Sequence, residues 1–150
     1  MHQSSKSNIQ VRVGVQLVEE HGLEAGDKPG HKLTVGRLKV NQFNIVEGSL
    51  PGTFIEGVTT ALGDRVGGLG TTIAYPVYRF TEGELHCWQH VEFVQKDDGT
   101  VGAEGKWRWN GGTGAFSKIC GEGSVDVKVI QDAGAQPRRV LDYTGVYWFE

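Results

Sequence analysis

At 150 residues the chain is long enough to enclose one hydrophobic core and short for two. A net charge of -3 with 22% charged residues offers no basic surplus, which sets nucleic acid and anionic membrane surfaces aside as partners. No apolar run approaches the ~20 residues of a membrane helix, and residues 1–8 are polar without the apolar centre of a secretory signal. Leader removal aside, these features predict a cytoplasmic protein with a flexible N-terminus over 1–8 and a single domain over 9–150.

Apolar and polar residues alternate in at least five segments, and no long stretch shows helical spacing. Val11, Val13, Val15 and Leu17 share one face of a first strand, and a turn rich in Gly, Asp and Pro follows from His21 to Gly30. A second strand runs from about Lys32 to Val46. Leu38 and Val40 have the opposite parity to Phe43 and Ile45, which predicts a bulge between them. Gly48 to Gly52 ends it, and Phe54 to Leu62 reads either as a third strand or as a short helical turn. Gly67, Gly68 and Gly70 open a strand from Thr71 to Phe80, and the hairpin Thr81-Glu82-Gly83 leads into Leu85 to Gln95. Asp97-Asp98-Gly99 turns the chain into a strand ending at Trp109, and Asn110 to Gly114 turns it again. Val125, Val127 and Val129 mark one face of the next strand, and Val140 to Phe149 closes the chain. Seven or eight strands with almost no helix to cover their edges predict an all-β, closed antiparallel barrel of about eight strands, with a sandwich as the alternative. Its interior would admit side chains or one small ligand.

The alternation sorts the candidate residues. Val13, Val15, Leu17, Glu19, Trp107, Trp109, Val125, Val127 and Val129 fall on the inward parity, as do Leu85, Cys87, Gln89, Val91 and Phe93. Cys87 and Gln89 are then rare polar groups in an apolar chamber, and Trp107 and Trp109 offer aromatic walls or plain core packing. Glu19 is either a desolvated lumen acid or a solvated residue at the rim. The opposite face of the Leu85 strand carries Glu84, His86, Trp88, His90 and Glu92, an outer or subunit-facing row, or else a lumen row with His90 as general base. His86 and His90 stand about 13 Å apart along a strand, too far to share a metal ion, and no metal site is expected. Cys87 and Cys120 lack a CxxC spacing and read as two buried free thiols. Tyr75 and Tyr78 flank Pro76, which predicts a kink or edge where a mouth opens, with Tyr78 as a hydrogen-bond donor.

The run Trp109-Asn110-Gly111-Gly112-Thr113-Gly114-Ala115-Phe116, followed by Gly121, resembles the GGxGxF hairpin of the allene oxide cyclase and dirigent families. Phe116 would plug the barrel end, and Gly121 would allow a bend at the next strand. Val140-Leu141-Asp142-Tyr143-Thr144-Gly145-Val146-Tyr147 is similar to the closing dirigent strand. The resemblance covers the last third of the chain. It implies a lumen for hydrophobic small molecules, cofactor-free chemistry, and homo-oligomers, dimers or trimers. Allene oxide cyclases carry a lumen glutamate on an early strand, and Glu19 resembles it in position; the dirigent pocket set of Asp, Arg and Tyr has no assigned counterpart here.

The function expected is therefore a cofactor-independent isomerase, cyclase or lyase acting on a hydrophobic small molecule. Glu19, Tyr78 or His90 would supply one proton transfer, and Cys87, Gln89, Trp107 and Trp109 would line the substrate. The alternatives are a non-catalytic barrel that binds a small apolar ligand and a structural domain with a fully packed lumen. Trp88, Val140, Val146 and Trp148 on the second strand faces point to self-association.

Overall fold

A computed structural model describes residues 5–130 and 138–150. Eight strands form one closed antiparallel barrel in simple chain order. They are β1 (Ser7–Glu24), β2 (His31–Glu47), β3 (Phe54–Val66), β4 (Leu69–Phe80), β5 (Gly83–Gln95), β6 (Val101–Gly112), β7 (Ile119–Ile130) and β8 (Arg138–Phe149). A 3-10 turn at Gly114–Phe116 interrupts the β6–β7 connection. The segment from Phe54, open between strand and helical turn on sequence, is strand β3. Ser7 and Asn8 already pair with Tyr147 and Val146 of β8, so the polar N-terminus joins the barrel earlier than expected; residues 1–4 lie outside the described part.

Strand parity sets the interior. Ile9, Val11, Val13 and Val15 on β1, Leu85, Cys87, Gln89, Val91 and Phe93 on β5, and Trp107 and Trp109 on β6 are all buried. The bulge in β2 falls at Asn41, where Gly14 pairs with Gln42 and Val15 with Val40. It allows Phe43 as well as Val40 and Leu38 to face inward.

A second bulge corrects the placement of Glu19. Leu17 pairs with Leu38 but Glu19 pairs with Arg37, leaving Val18 unpaired, so the inward parity passes from Leu17 to Glu20. Glu19 points outward, half exposed, 3.5 Å from His21 and 3.9 Å from Arg37. Pro76 also sits differently from its expectation. It lies inside the barrel wall, paired with Thr59 on β3, while β4 and β5 are unpaired at Tyr75 and Pro76 and resume at Val77 opposite His86. The proline's missing N–H is absorbed by a local gap in one ladder, and no mouth opens there.

One end of the barrel is closed by aromatic packing. Phe43, Phe54 and Phe80 meet at ring distances of 5.2 to 5.7 Å, and Phe116 adds a ring 5.0 Å from Phe80. The GGxGxF segment lays its backbone on the β4–β5 turn: Thr113 N–H donates to Glu84 O at 2.9 Å and Ala115 N–H to Glu82 O at 2.9 Å. A Cβ on Gly112 would stand 1.8 Å from Glu84 O and one on Gly83 2.1 Å from Thr113 O, so this contact requires glycine on both sides. Phe116 is thereby held fully buried as the plug.

Candidate functional site

The opposite end is open, and its inner lining differs in kind. On β3 and β4 the inward residues Thr59, Ala61, Thr72 and Ala74 are small, and with Gln89, Tyr143 and their neighbours they enclose a chamber of only about 40 Å³. That is room for roughly one water molecule. Beyond Gln16, β1 has no partner on β8 among the described residues. There Val15, Leu17, Val18, Glu19, Glu20, Leu38, Val129 and Arg139 border a cleft of about 500 Å³, within the ~300–1,000 Å³ span of small-molecule sites. Glu19, although turned outward, thus stands at its rim. Val15, Leu38 and Arg139 line both spaces, so cleft and chamber adjoin.

Polar groups stand at the floor and the rim of this path. Tyr78 O–H donates to the Tyr143 hydroxyl at 3.4 Å, and Tyr143 O–H donates to Oε1 of Gln89. Burial pushes both phenols above their usual range, so they stay neutral donors. The same desolvation keeps the Cys87 thiol protonated. At the rim Arg65 and Arg139 converge on one ring. Cζ of Arg65 lies 3.7 Å from the centre of Phe93 and Cζ of Arg139 5.9 Å. Arg65 pairs with Gly70, which pairs with Phe93; with no side chain between them, the guanidinium lies over the ring. Burial lowers the pKa of both arginines, and for Arg65 the charge of Arg139 lowers it further; Glu20 opposes the shift in each.

Of the residues singled out on sequence, Tyr78, Cys87, Gln89, Trp107 and Trp109 share the interior. Trp107 and Trp109 pack with ring centres 4.9 Å apart and planes tilted by 46°, in space left by glycines, since a Cβ on Gly121 would stand 3.0 Å from each ring and one on Gly145 2.8 Å from Trp107. Gly121 thus makes room for indoles, where a strand bend was expected. His90 faces outward beside Lys106, with Trp88 6.3 Å away, so it is outside the chamber that a general base would need to reach. Glu19, His90 and Tyr78 are not brought together. Tyr143, Arg139, Arg65 and Glu20 were missed. Tyr143 and Arg139 continue the inward parity of Leu141 on β8, a signal present in the sequence. Arg65 lies among Gly57, Thr59, Ala61 and Gly63, a row without an apolar face to read, and Glu20 is inward only through the Val18 bulge.

No protein-family model matches the chain, and no curated protein matches it. Among solved structures it is similar to Ail, the attachment invasion locus protein of Yersinia pestis, crystallised with the heparin analogue sucrose octasulfate, over 99% of each chain at 12% identity with a TM-score of 0.17. A score this low denotes backbones that do not superpose, and it bears on neither the activity nor the location of this chain.

Proposed function

We propose that the barrel binds a small hydrophobic molecule that enters at the open end and lies in the cleft above the chamber. The observation carrying this reading is a cleft with a row of apolar residues that adjoins a chamber with a buried polar floor, at the end of the barrel that the phenylalanine rings do not close. The small chamber favours a ligand seated mainly in the cleft, with at most a single polar atom reaching toward Tyr143. Native mass spectrometry of the freshly purified protein, with extraction of anything bound, is the direct test. Uncharged Nile red should bind the wild type and be excluded by Leu38→Trp, which fills the junction. Equal binding by both proteins would overturn the reading.

A second reading is turnover of the bound molecule by a cofactor-independent isomerase, cyclase or lyase, as the resemblance to allene oxide cyclases and dirigent proteins implies. It is favoured by the two neutral phenols, which can donate to a developing enolate or alkoxide. Tyr143→Phe would then abolish turnover while leaving affinity, and a pure binder has no turnover to lose.

The proposed setting is water, in the cytoplasm. Outward rows such as Glu84, His86, His90 and Glu92 on β5 and Glu104, Lys106 and Arg108 on β6 are polar or charged where a transmembrane barrel carries its apolar band, and Cys87 and Cys120 are free thiols, the first buried and the second, against expectation, only partly so. No helix among the described residues is long and apolar enough to cross a membrane. Homo-oligomerisation stays part of the proposal, with a different face. Lys6 lies over Trp148 and Arg108 over Trp88, whereas Leu23, Leu33, Val35, Leu62 and Ile73 surround an open apolar groove on the outside of β1–β4. Val35→Glu should convert a dimer or trimer to monomer in sedimentation; a wild type that is monomeric at all concentrations would defeat it.

A further inference from the structure

We infer that the mouth is an anion site, in which the carboxylate of an apolar acid docks on Arg65 and Arg139 above Phe93 while its hydrocarbon body lies against Val15, Leu17, Leu38 and Val129. The inference rests on the reading of the open end as a ligand entrance and adds the chemical class of the ligand.

Two guanidinium groups from strands far apart in the barrel, β3 and β8, are brought over a single ring. Like charges this close repel, and each has given up part of its water to lie there. Such an arrangement is stable when an anion neutralises it. Among the described residues no carboxylate lies within ion-pair distance of either group. Glu20 acts on both guanidinium groups without pairing with either, and Glu19, which also borders the cleft, is turned toward His21 and Arg37. Arg65 uses one donor on Thr72, Nη2 to Oγ1 at 3.2 Å, while Arg139 donates to no side chain among the described residues. A guanidinium carries five N–H donors in a planar fork that matches a carboxylate. Two guanidinium groups with no ion-paired carboxylate among the described residues favour an anion, and the row of Val15, Leu17, Leu38 and Val129 along the cleft favours a hydrocarbon body over a sugar or nucleotide.

Octanoate and 1-octanol separate the two levels of this argument, because they share an alkyl chain and differ in charge. Calorimetric titration should show octanoate binding more tightly than octanol. Arg139→Met and Arg65→Met should each weaken octanoate by roughly tenfold to a hundredfold, the worth of a charge-assisted hydrogen bond, and leave octanol unchanged. Arg139→Lys, which keeps charge without the fork, should fall between, and Glu20→Gln, which removes the competing carboxylate, should strengthen octanoate. Near-ultraviolet circular dichroism of each variant checks that the barrel is intact, and the Lys and Gln variants keep the test open should a Met variant fail to fold. Equal binding of octanoate and octanol, or an octanoate preference that none of the four substitutions alters, overturns the anion site while leaving the lumen reading standing. Binding of neither probe overturns both.

Discussion

At the closed end of the barrel, Phe43, Phe54, Phe80 and Phe116 pack ring against ring with Tyr78 beneath them, its hydroxyl donating to that of Tyr143. At the open end β1, β3 and β8 present Glu20, Arg65 and Arg139, beside small inward residues and a cleft. Burial of apolar area holds the first end together, and each ring pair adds about 0.5–1.5 kcal/mol beyond it. The second end brings like charges together and leaves a cavity, both of which cost stability. A chain that folds well at one end and tolerates such an arrangement at the other is behaving as proteins do where binding opposes packing. The motif that resembles the allene oxide cyclase and dirigent hairpin belongs to the closed end. It holds the plug, which explains how such a motif speaks to fold and leaves chemistry open.

The contrast between the ends makes graded predictions. Phe116→Ala should cost about 3–5 kcal/mol in urea unfolding, since it empties a fully buried ring site that rigid backbone contacts keep from collapsing. A loss under about 1 kcal/mol would mean that the plug is not what closes this end. Gly145→Ala should cost about 1–3 kcal/mol, because the new Cβ would meet Glu122 O at 2.1 Å and the Trp107 ring at 2.8 Å. Loss of the near-ultraviolet tryptophan signal should accompany it. Arg139→Met, at the other end, should leave stability unchanged or raise it by up to about 1 kcal/mol, since it removes a partly desolvated charge from beside a like one. A clear loss of stability would show that Arg139 is part of the scaffold.

The smallest effect concerns the hairpin that overhangs the open end. His31 is held by Asp27 at 2.5 Å through Nδ1 and by Asp64 at 2.6 Å through Nε2, joining the β1–β2 turn to β3. These hydrogen bonds raise the His31 pKa above its ordinary value and lower that of Asp27. The cationic imidazole is favoured in the folded state, so its contribution is complete below about pH 6.5 and is lost as pH rises through the raised value. The Asp27 contribution has the opposite sense, present above the ordinary carboxylate range and lost in acid below it. Melting temperature should therefore decline modestly from mildly acidic to alkaline pH, and His31→Gln should flatten that decline. An unchanged slope in the variant would assign the pH dependence elsewhere.

How much of this was legible without coordinates depends on the kind of signal. Period-two alternation identifies Val11, Val13, Val15, Cys87, Gln89, Trp107 and Trp109 as interior, because a strand sends alternate side chains to opposite faces and only one face is buried. The parity break between Val40 and Phe43 marks the Asn41 bulge for the same reason, and glycine-rich turns mark the hairpins. Seven or eight strands with no helix to cover their edges favour closure over the sandwich that the same pattern leaves open. The Val18 bulge was not legible, since Leu17, Val18, Glu19 and Glu20 show no alternation to break, and that single unpaired residue decides that Glu20 and not Glu19 faces inward. Arg65 and Arg139 are 74 positions apart in the sequence. Only closure of the barrel, with Gly70 bare between Arg65 and Phe93, brings both over one ring. Local pattern determines which face of a strand is buried; which distant residues meet at the mouth is decided by register and by the side chains that are missing between them.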